Sequence, residues 1–212
     1  LQELSNIGGG TVVISTDRII IDPELYGIIG GSDIEIISSG SNRPVIEMAM
    51  GTALEMGDNC KIKGLEFELT EFATGISFGM NCTAENLIFK GNGAASAMIC
   101  GDNCQIFNCR AESTGSGFII VLAIEGNGSK ITKFDFKALG GNSTGVIGID
   151  GSDNVLDSVT ISGYSLTGIA INGEESKNNI IKNSNIGGDT YSPSAFGIMI
   201  NGRENKVQNC EI

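Results

Sequence analysis

Residues 101–111 read Gly-Asp-Asn-Cys-Gln-Ile-Phe-Asn-Cys-Arg-Ala, and residues 126–136 read Gly-Asn-Gly-Ser-Lys-Ile-Thr-Lys-Phe-Asp-Phe. Both stretches have a glycine, a polar turn, and apolar or small residues five, eight and ten positions after the glycine. The pattern also begins at Gly57, Gly79, Gly151, Gly202 and, more loosely, Gly173. Successive starting glycines are 22, 22, 25, 25, 22 and 29 residues apart. A period of this size is typical of solenoids.

Short segments with alternating apolar residues precede and follow each glycine, as in Ile147-Gly-Ile149. A unit with two or three such strands cannot bury its own apolar side, but stacked units bury a continuous core. The repeat therefore predicts an all-β fold, a single-stranded parallel β-helix of about eight or nine turns at ~4.8 Å per turn. A leucine-rich consensus is missing, and the absence of tryptophan disfavours a propeller.

The pattern predicts one domain over residues 1–212, with a lead-in at 1–9 and repeats at 10–212. A short helical turn is expected over Leu1–Asn6. Because the sequence starts without Met and stops inside a repeat, we expect a segment of a longer chain.

The composition excludes several classes of function. The 212 residues include 13 Lys and Arg, 25 Asp and Glu and no His, so the net charge is −12. Without histidine there is no Ser-His-Asp triad, Cys-His dyad or histidine zinc site. The acidic balance disfavours nucleic acid and anionic membranes as partners. The apolar run at residues 118–124 is too short to span a membrane, and no metal or cofactor is predicted.

Small and polar residues occupy one column of the repeat, the third position after each glycine. They are Cys60, Cys82, Cys104, Ser129, Asn154 and Asn205. Stacked at a bend, asparagine amides can form hydrogen bonds between turns. Stacked cysteine side chains run parallel, which suits a disulfide badly. We therefore expect the six cysteines to be free thiols and the chain to fold in a reducing cytosol.

Three carboxylates are the candidate catalytic residues. Glu125 and Asp150 are 25 residues apart, which is one turn, and Asp153 lies three residues beyond Asp150. Glycoside hydrolysis requires one carboxylic acid and one carboxylate, and two stacked acids do not both ionise cheaply. Ordinary turn chemistry explains the same acids better, because chance stacking of two is common with 25 acids in 212 residues. The candidate sugar-binding residues are the aromatic side chains Phe118, Tyr164 and Tyr191.

The opening stretch Leu1-Gln-Glu-Leu-Ser-Asn-Ile-Gly-Gly-Gly-Thr-Val-Val-Ile14 resembles the start of pectate-lyase-like right-handed β-helices, most closely those of bacteriophage tailspikes. The resemblance implies a right-handed solenoid, a polysaccharide partner, a homotrimer and a place on the virion tail or outside the cell. The three carboxylates resemble the Glu/Asp/Asp cluster of hydrolytic tailspikes.

The sequence also departs from the enzymes of this superfamily. The Gly-His-Gly motif is absent, and the arginines stand in no recognisable motif. A charge of −12 would repel a uronate polymer, so pectate cleavage is disfavoured. Two functions stay open. The first is a carbohydrate-binding tailspike β-helix, with or without glycoside hydrolysis by paired carboxylates. The second is a non-enzymatic structural or adhesive rod in a tail fibre or appendage.

Overall fold

A computed structural model describes residues 9–22, 27–40, 42–114, 118–143, 146–165, 167–187 and 196–212. Within these ranges the chain forms twenty β-strands and no helix. The helical turn predicted over Leu1–Asn6 lies outside the described residues.

Each turn of the chain passes through three sheets. Strands confined to the first sheet are β1 Gly10–Ile14, β4 Ile34–Ser38, β6 Lys61–Lys63, β8 Thr83–Glu85, β17 Ile180–Lys182 and β20 Lys206–Gln208. Strands confined to the second are β2 Arg18–Ile20, β9 Ile88–Asn92 and β18 Asn185–Ile186. Strands confined to the third are β3 Ile28–Ile29, β10 Ala95–Cys100, β12 Phe118–Ile124, β14 Val146–Ile149, β16 Thr167–Ile171 and β19 Phe196–Ile200.

Five longer strands bend from one sheet into the next. β11 Gln105–Thr114, β13 Lys130–Ser143 and β15 Val155–Ser165 run through the first and second sheets, while β5 Val45–Met56 and β7 Glu66–Phe78 run through the second and third. Strand pairing is parallel and joins each strand to its equivalent one turn away. Ile106 pairs with Ile131. The predicted parallel solenoid is therefore confirmed.

The apolar columns of the repeat form the core between the three sheets. Ile62, Ala84, Ile106, Ile131 and Leu156 follow one another through the first sheet, and each is at most 1% exposed. In the second sheet the rings of Phe67 and Phe89 stack with centroids 4.9 Å apart. Since full burial of one such side chain contributes roughly 1.5–3 kcal/mol, stacking supplies the stability that a single turn lacks.

The solenoid has about seven turns, rather than the eight or nine predicted. One turn also begins later than the sequence indicated. A Cβ placed on Gly202 would lie 1.9 Å from the carbonyl oxygen of Ser176, so Ser176, not Gly173, takes the glycine position of its turn. The equivalent residues Asn154, Asn179 and Asn205 are accordingly 25 and 26 residues apart.

Two corners of the solenoid differ in character. The glycine corner, between the third sheet and the next turn's first sheet, is made by four residues beginning at the starting glycine. The variable corner, between the second and third sheets, is continuous strand in β5 and β7 but separates Ile186 from Phe196 in a later turn. In β13 the register shifts between Ala138 and Ser143. Residues 140–142 of β13 lie at this corner.

Candidate functional site

Close stacking at the glycine corner leaves no room for a side chain at Gly126 or Gly151, although Ser176 fills the equivalent position of a later turn. A Cβ on Gly151 would lie 1.9 Å from the carbonyl oxygen of Gly126, and one on Gly126 would lie 2.2 Å from the carbonyl carbon of Gly101. The backbones of consecutive turns therefore touch at this corner. The groups that follow each glycine are held at a fixed spacing.

A buried polar ladder runs along the inside of the glycine corner. The Asn154 amide oxygen accepts the backbone N–H of Ser129 at 2.8 Å, and its amide nitrogen donates to the carbonyl of Gly126 at 3.0 Å. Asn179 repeats both bonds one turn later, to the N–H of Asn154 and the carbonyl of Gly151. The column that the sequence marked as stacked is thus a hydrogen-bonded ladder that satisfies backbone groups of the adjacent turns.

Cysteines occupy the same ladder in the earlier turns. The thiols of Cys60, Cys82 and Cys104 donate to the carbonyls of Gly31, Gly57 and Gly79 at 3.1–3.3 Å. All six cysteines are free thiols, as predicted. Burial raises the pKa of the Cys100 thiol, and it raises the pKa of Cys109 to about 12. Within the described ranges, no His, Cys, Asp and Glu side chains are grouped to hold a metal ion.

The candidate acids Glu125 and Asp150 lie at the glycine corner on successive turns. They directly follow Ile124 and Ile149, which are register partners in the third sheet. Both side chains are exposed, and neither carboxylate has a hydrogen bond or ion pair to another described residue. The register places the two residues one above the other, at the ~4.8 Å separation of adjacent parallel strands.

Asp153, the third candidate acid, belongs to a second ladder on the outside of the glycine corner. Its backbone is left-handed, with φ of 60°, and its carboxylate accepts the amide of Asn178 at 3.1 Å. Asn59 and Asn81 occupy the same position in earlier turns, with φ of 57° and 58°. Asparagine and aspartate tolerate this conformation better than most residues. The contacts of Asp153 therefore give it a structural part in the turn.

Two of the three candidate aromatic residues lie toward the variable corner rather than the glycine corner. Phe118 begins β12 at the variable corner, whereas Glu125 follows the last residue of that strand. Seven residues of extended chain separate them, about 23 Å. Tyr164 is in β15 beside the same corner, and Tyr191 lies outside the described residues. Within the described residues, Phe118 and Tyr164 therefore lie apart from the candidate acids.

Two acids of β7, Glu66 and Glu68, form ion pairs between turns. Arg18 binds Glu68 at 2.8 Å, and Lys90 binds Glu66 at 2.5 Å. The hydrogen bonds that Arg18 and Lys90 donate to these carboxylates raise the pKa of both cations. Neither pair is one repeat of 22 residues apart, since 24 residues separate Glu66 from Lys90 and 50 separate Arg18 from Glu68, so the period alone does not reveal them.

Comparison with solved structures identifies the architecture. The chain superposes on the tailspike protein of Escherichia coli bacteriophage HK620 in complex with a hexasaccharide, with a TM-score of 0.68 and 14% identity over 98% of this chain and 45% of that one. Against the same tailspike with a pentasaccharide, the TM-score is 0.65 at 14% identity, over 97% and 45%. The chain thus spans less than half of the tailspike's length.

At this level of identity the comparison shows the fold, a tailspike-like parallel β-helix. No family model and no curated protein matches the sequence. Among the described residues there is no helix of the length and apolarity that a membrane crossing requires.

Proposed function

We propose that this chain is the polysaccharide-binding β-helix of a tailspike-type protein, acting outside the cell at the tail of a phage particle. One observation carries the proposal: nearly the whole chain superposes on a tailspike that holds a hexasaccharide. The acidic surface agrees with it, since a net charge of −12 suits neutral sugars better than nucleic acid or uronate polymers. Assembly as a homotrimer is part of the same proposal.

The finer proposal is that the bound polysaccharide is hydrolysed at Glu125 and Asp150. Their one-turn spacing suits a retaining mechanism, in which the carboxyl groups are ~5–5.5 Å apart. One carboxylic acid protonates the glycosidic oxygen while the other carboxylate attacks the anomeric carbon, so the C–O bond breaks and a glycosyl ester forms. Water then attacks the anomeric carbon, its proton returns to the first group, and the second carboxylate is released.

Asp153 has the weaker claim to a part in this chemistry, since its carboxylate is already a hydrogen-bond acceptor in the turn. In a pair that includes Asp153, the distance between the two carboxyl groups would be larger and would suit an inverting mechanism instead. Phe118 and Tyr164 would contact sugar units near the variable corner, away from the acids, and Tyr191 stays a candidate for the same role. A polysaccharide that touched both regions would have to cross the third sheet.

The test uses purified lipopolysaccharide from a panel of smooth Escherichia coli strains, with binding and release of reducing ends both measured. Unmodified protein should bind at least one member. If that member is also hydrolysed, Asp150→Asn and Glu125→Gln should each slow release by about 10²-fold or more while leaving binding intact. The matched control is Asp135→Asn, which changes an exposed aspartate on the second sheet.

The results test polysaccharide binding and hydrolysis separately. Absence of binding to every member would overturn the tailspike function and favour the structural rod. Binding without release, or equal release by Asp150→Asn and unmodified protein, would leave binding standing and remove the catalytic assignment. Asp153→Asn serves as an internal comparison, because asparagine already fills this position at Asn59 and Asn81.

A further inference from the structure

A groove of about 280 Å³ lies on the outward face of the second sheet, across β7, β9 and β11. Buried Leu69 and Gly91 form its floor. Two columns of outward side chains line it. They are Glu68, Lys90 and Glu112, and Thr70, Asn92 and Thr114. Glu68 and Lys90 form the ion pairs already described, and none of the lining residues belongs to the glycine corner or to the candidate catalytic and sugar-binding residues.

The register makes the neutral column a regular row. Thr70 pairs with Asn92, and Asn92 pairs with Thr114, so one hydroxyl or amide stands on each turn at ~4.8 Å intervals. All three side chains are exposed. Hydroxyl and amide groups both donate and accept hydrogen bonds, as sugar hydroxyls do. An extended chain of sugar rings running along the solenoid axis would meet a new partner at every turn.

Two of the three charged side chains in the groove are already held in ion pairs, and the third is not. Lys90 is bound by Glu66 at 2.5 Å, and Glu68 is bound by Arg18 at 2.8 Å. The carboxylate of Glu112 has no hydrogen bond or ion pair to another described residue. The groove therefore offers one available negative charge beside neutral polar groups. It would repel a uronate and accept a neutral or amine-bearing sugar.

An exposed aromatic residue follows the groove-lining part of β7 toward the variable corner. Phe72 is 70% exposed and lies two residues beyond Thr70 on β7. Its register partner is the half-exposed Met50. An apolar surface beside aligned polar groups is the usual composition of a small-molecule site. The C–H face of a sugar ring fits such a surface while its hydroxyls bind the polar row.

We propose that this groove binds a neutral or amine-bearing oligosaccharide lying parallel to the solenoid axis, with Phe72 against one ring and Thr70, Asn92 and Thr114 bonding successive units. The inference rests on the proposed polysaccharide-binding function and deepens it, because it assigns both a place and a charge class to the ligand.

The test measures binding of purified O-polysaccharides grouped as neutral, amine-bearing and uronate-containing. Unmodified protein should prefer the first two groups. Phe72→Ala and Asn92→Ala should each weaken binding at least tenfold. The matched controls are Phe107→Ala and Asn185→Ala, exposed residues outside the groove, and they should change binding less than twofold. Glu112→Gln should reduce the discrimination against uronates several-fold.

The possible results distinguish failure of the groove assignment from failure of the proposed polysaccharide-binding function. If unmodified protein binds but the groove variants bind as tightly as the controls, the groove assignment is wrong and the proposed function stands. Preference for uronate polymers would also overturn the assignment. If unmodified protein binds no member of any group, the function fails and the groove assignment fails with it.

Discussion

The amide oxygen of Asn154 accepts the backbone N–H of Ser129 at 2.8 Å, although the two residues are 25 positions apart. The same side chain donates to the carbonyl of Gly126 at 3.0 Å. Asn154 is fully buried. One side chain therefore satisfies two backbone groups that neither the strand ladder nor water reaches, and it couples the stability of adjacent turns.

Replacing Asn154 with leucine should be strongly destabilising. The apolar side chain leaves the N–H of Ser129 and the carbonyl of Gly126 buried without partners, at ~1–3 kcal/mol for each group. We expect a loss of about 2–5 kcal/mol in the free energy of unfolding, measured by urea denaturation. Asn185→Ala, at an exposed amide that bonds Glu211 at 3.3 Å, should cost less than about 1 kcal/mol. Equal midpoints for the two variants would refute the ladder's energetic role.

Two serines of this corner should respond to alanine in opposite directions. The Ser129 hydroxyl accepts the N–H of Cys104 and donates to the carbonyl of Gly101, so Ser129→Ala should lower stability by about 1–3 kcal/mol. The hydroxyl of Ser176 is buried without a hydrogen-bond partner in the described structure. Ser176→Ala should therefore leave stability unchanged or raise it by about 1 kcal/mol. Thermal unfolding of both variants provides the measurement, and a loss at Ser176 contradicts the expectation.

Alanine at Gly151 should force two turns apart. Its Cβ would lie 1.9 Å from a backbone oxygen, which has no flexible side chain to move aside. We expect a loss of at least about 2 kcal/mol or failure to fold, as in severe overpacking. At Gly40 no atom lies within 4 Å of the added Cβ. Gly40→Ala is thus the matched control and should unfold at nearly the same temperature as unmodified protein.

Thiol reactivity should follow burial. With a pKa of about 12, only about 10⁻⁴ of Cys109 is thiolate at pH 8, and burial blocks access as well. In native protein, Ellman's reagent should label the partly exposed Cys210 first, and all six cysteines after denaturation. Mass spectrometry locates the label. Fast native labelling of Cys100 or Cys109 would show that the core opens more readily than its packing indicates.

One carboxylate should make stability sensitive to acid. A hydrogen bond from Asn183, together with Lys182 at 3.1 Å, lowers the pKa of Asp157 below 3.8. A depressed folded-state pKa stabilises the fold above the unfolded value and ceases to do so as pH falls through the folded value. Asp157→Asn should therefore be less stable than unmodified protein at pH 7, and the difference should close as pH falls below about 3.8.

Two checks accompany that prediction. The difference at pH 7 should shrink in 1 M NaCl, because the pair with Lys182 is exposed and salt screens it. A difference that stays constant from pH 7 to about pH 2 would mean that the charge of Asp157 contributes nothing to folding.

Residue pattern alone determined the architecture of this protein. Each turn reuses the same apolar offsets, so finding the period was enough to make Ile106 and Ile131 neighbours, and free cysteines followed from parallel stacking. The physical reason is that a solenoid converts a fixed sequence separation into vertical contact. Which residues pair between adjacent turns can therefore be predicted from the repeat period alone, without knowledge of the rest of the fold.

Only the tertiary structure determined where each turn begins and which side chains meet on the surface of the solenoid. The sequence placed the start of one turn at Gly173, and close backbone contact moved it to Ser176. It grouped Asp153 with two other acids, whereas the left-handed turn commits that side chain to Asn178. The register also builds a groove from three strands, β7, β9 and β11, which the repeat pattern did not predict. The packing of all the turns together sets the backbone dihedrals, the contact distances and the side-chain directions. The repeat period alone does not determine these quantities.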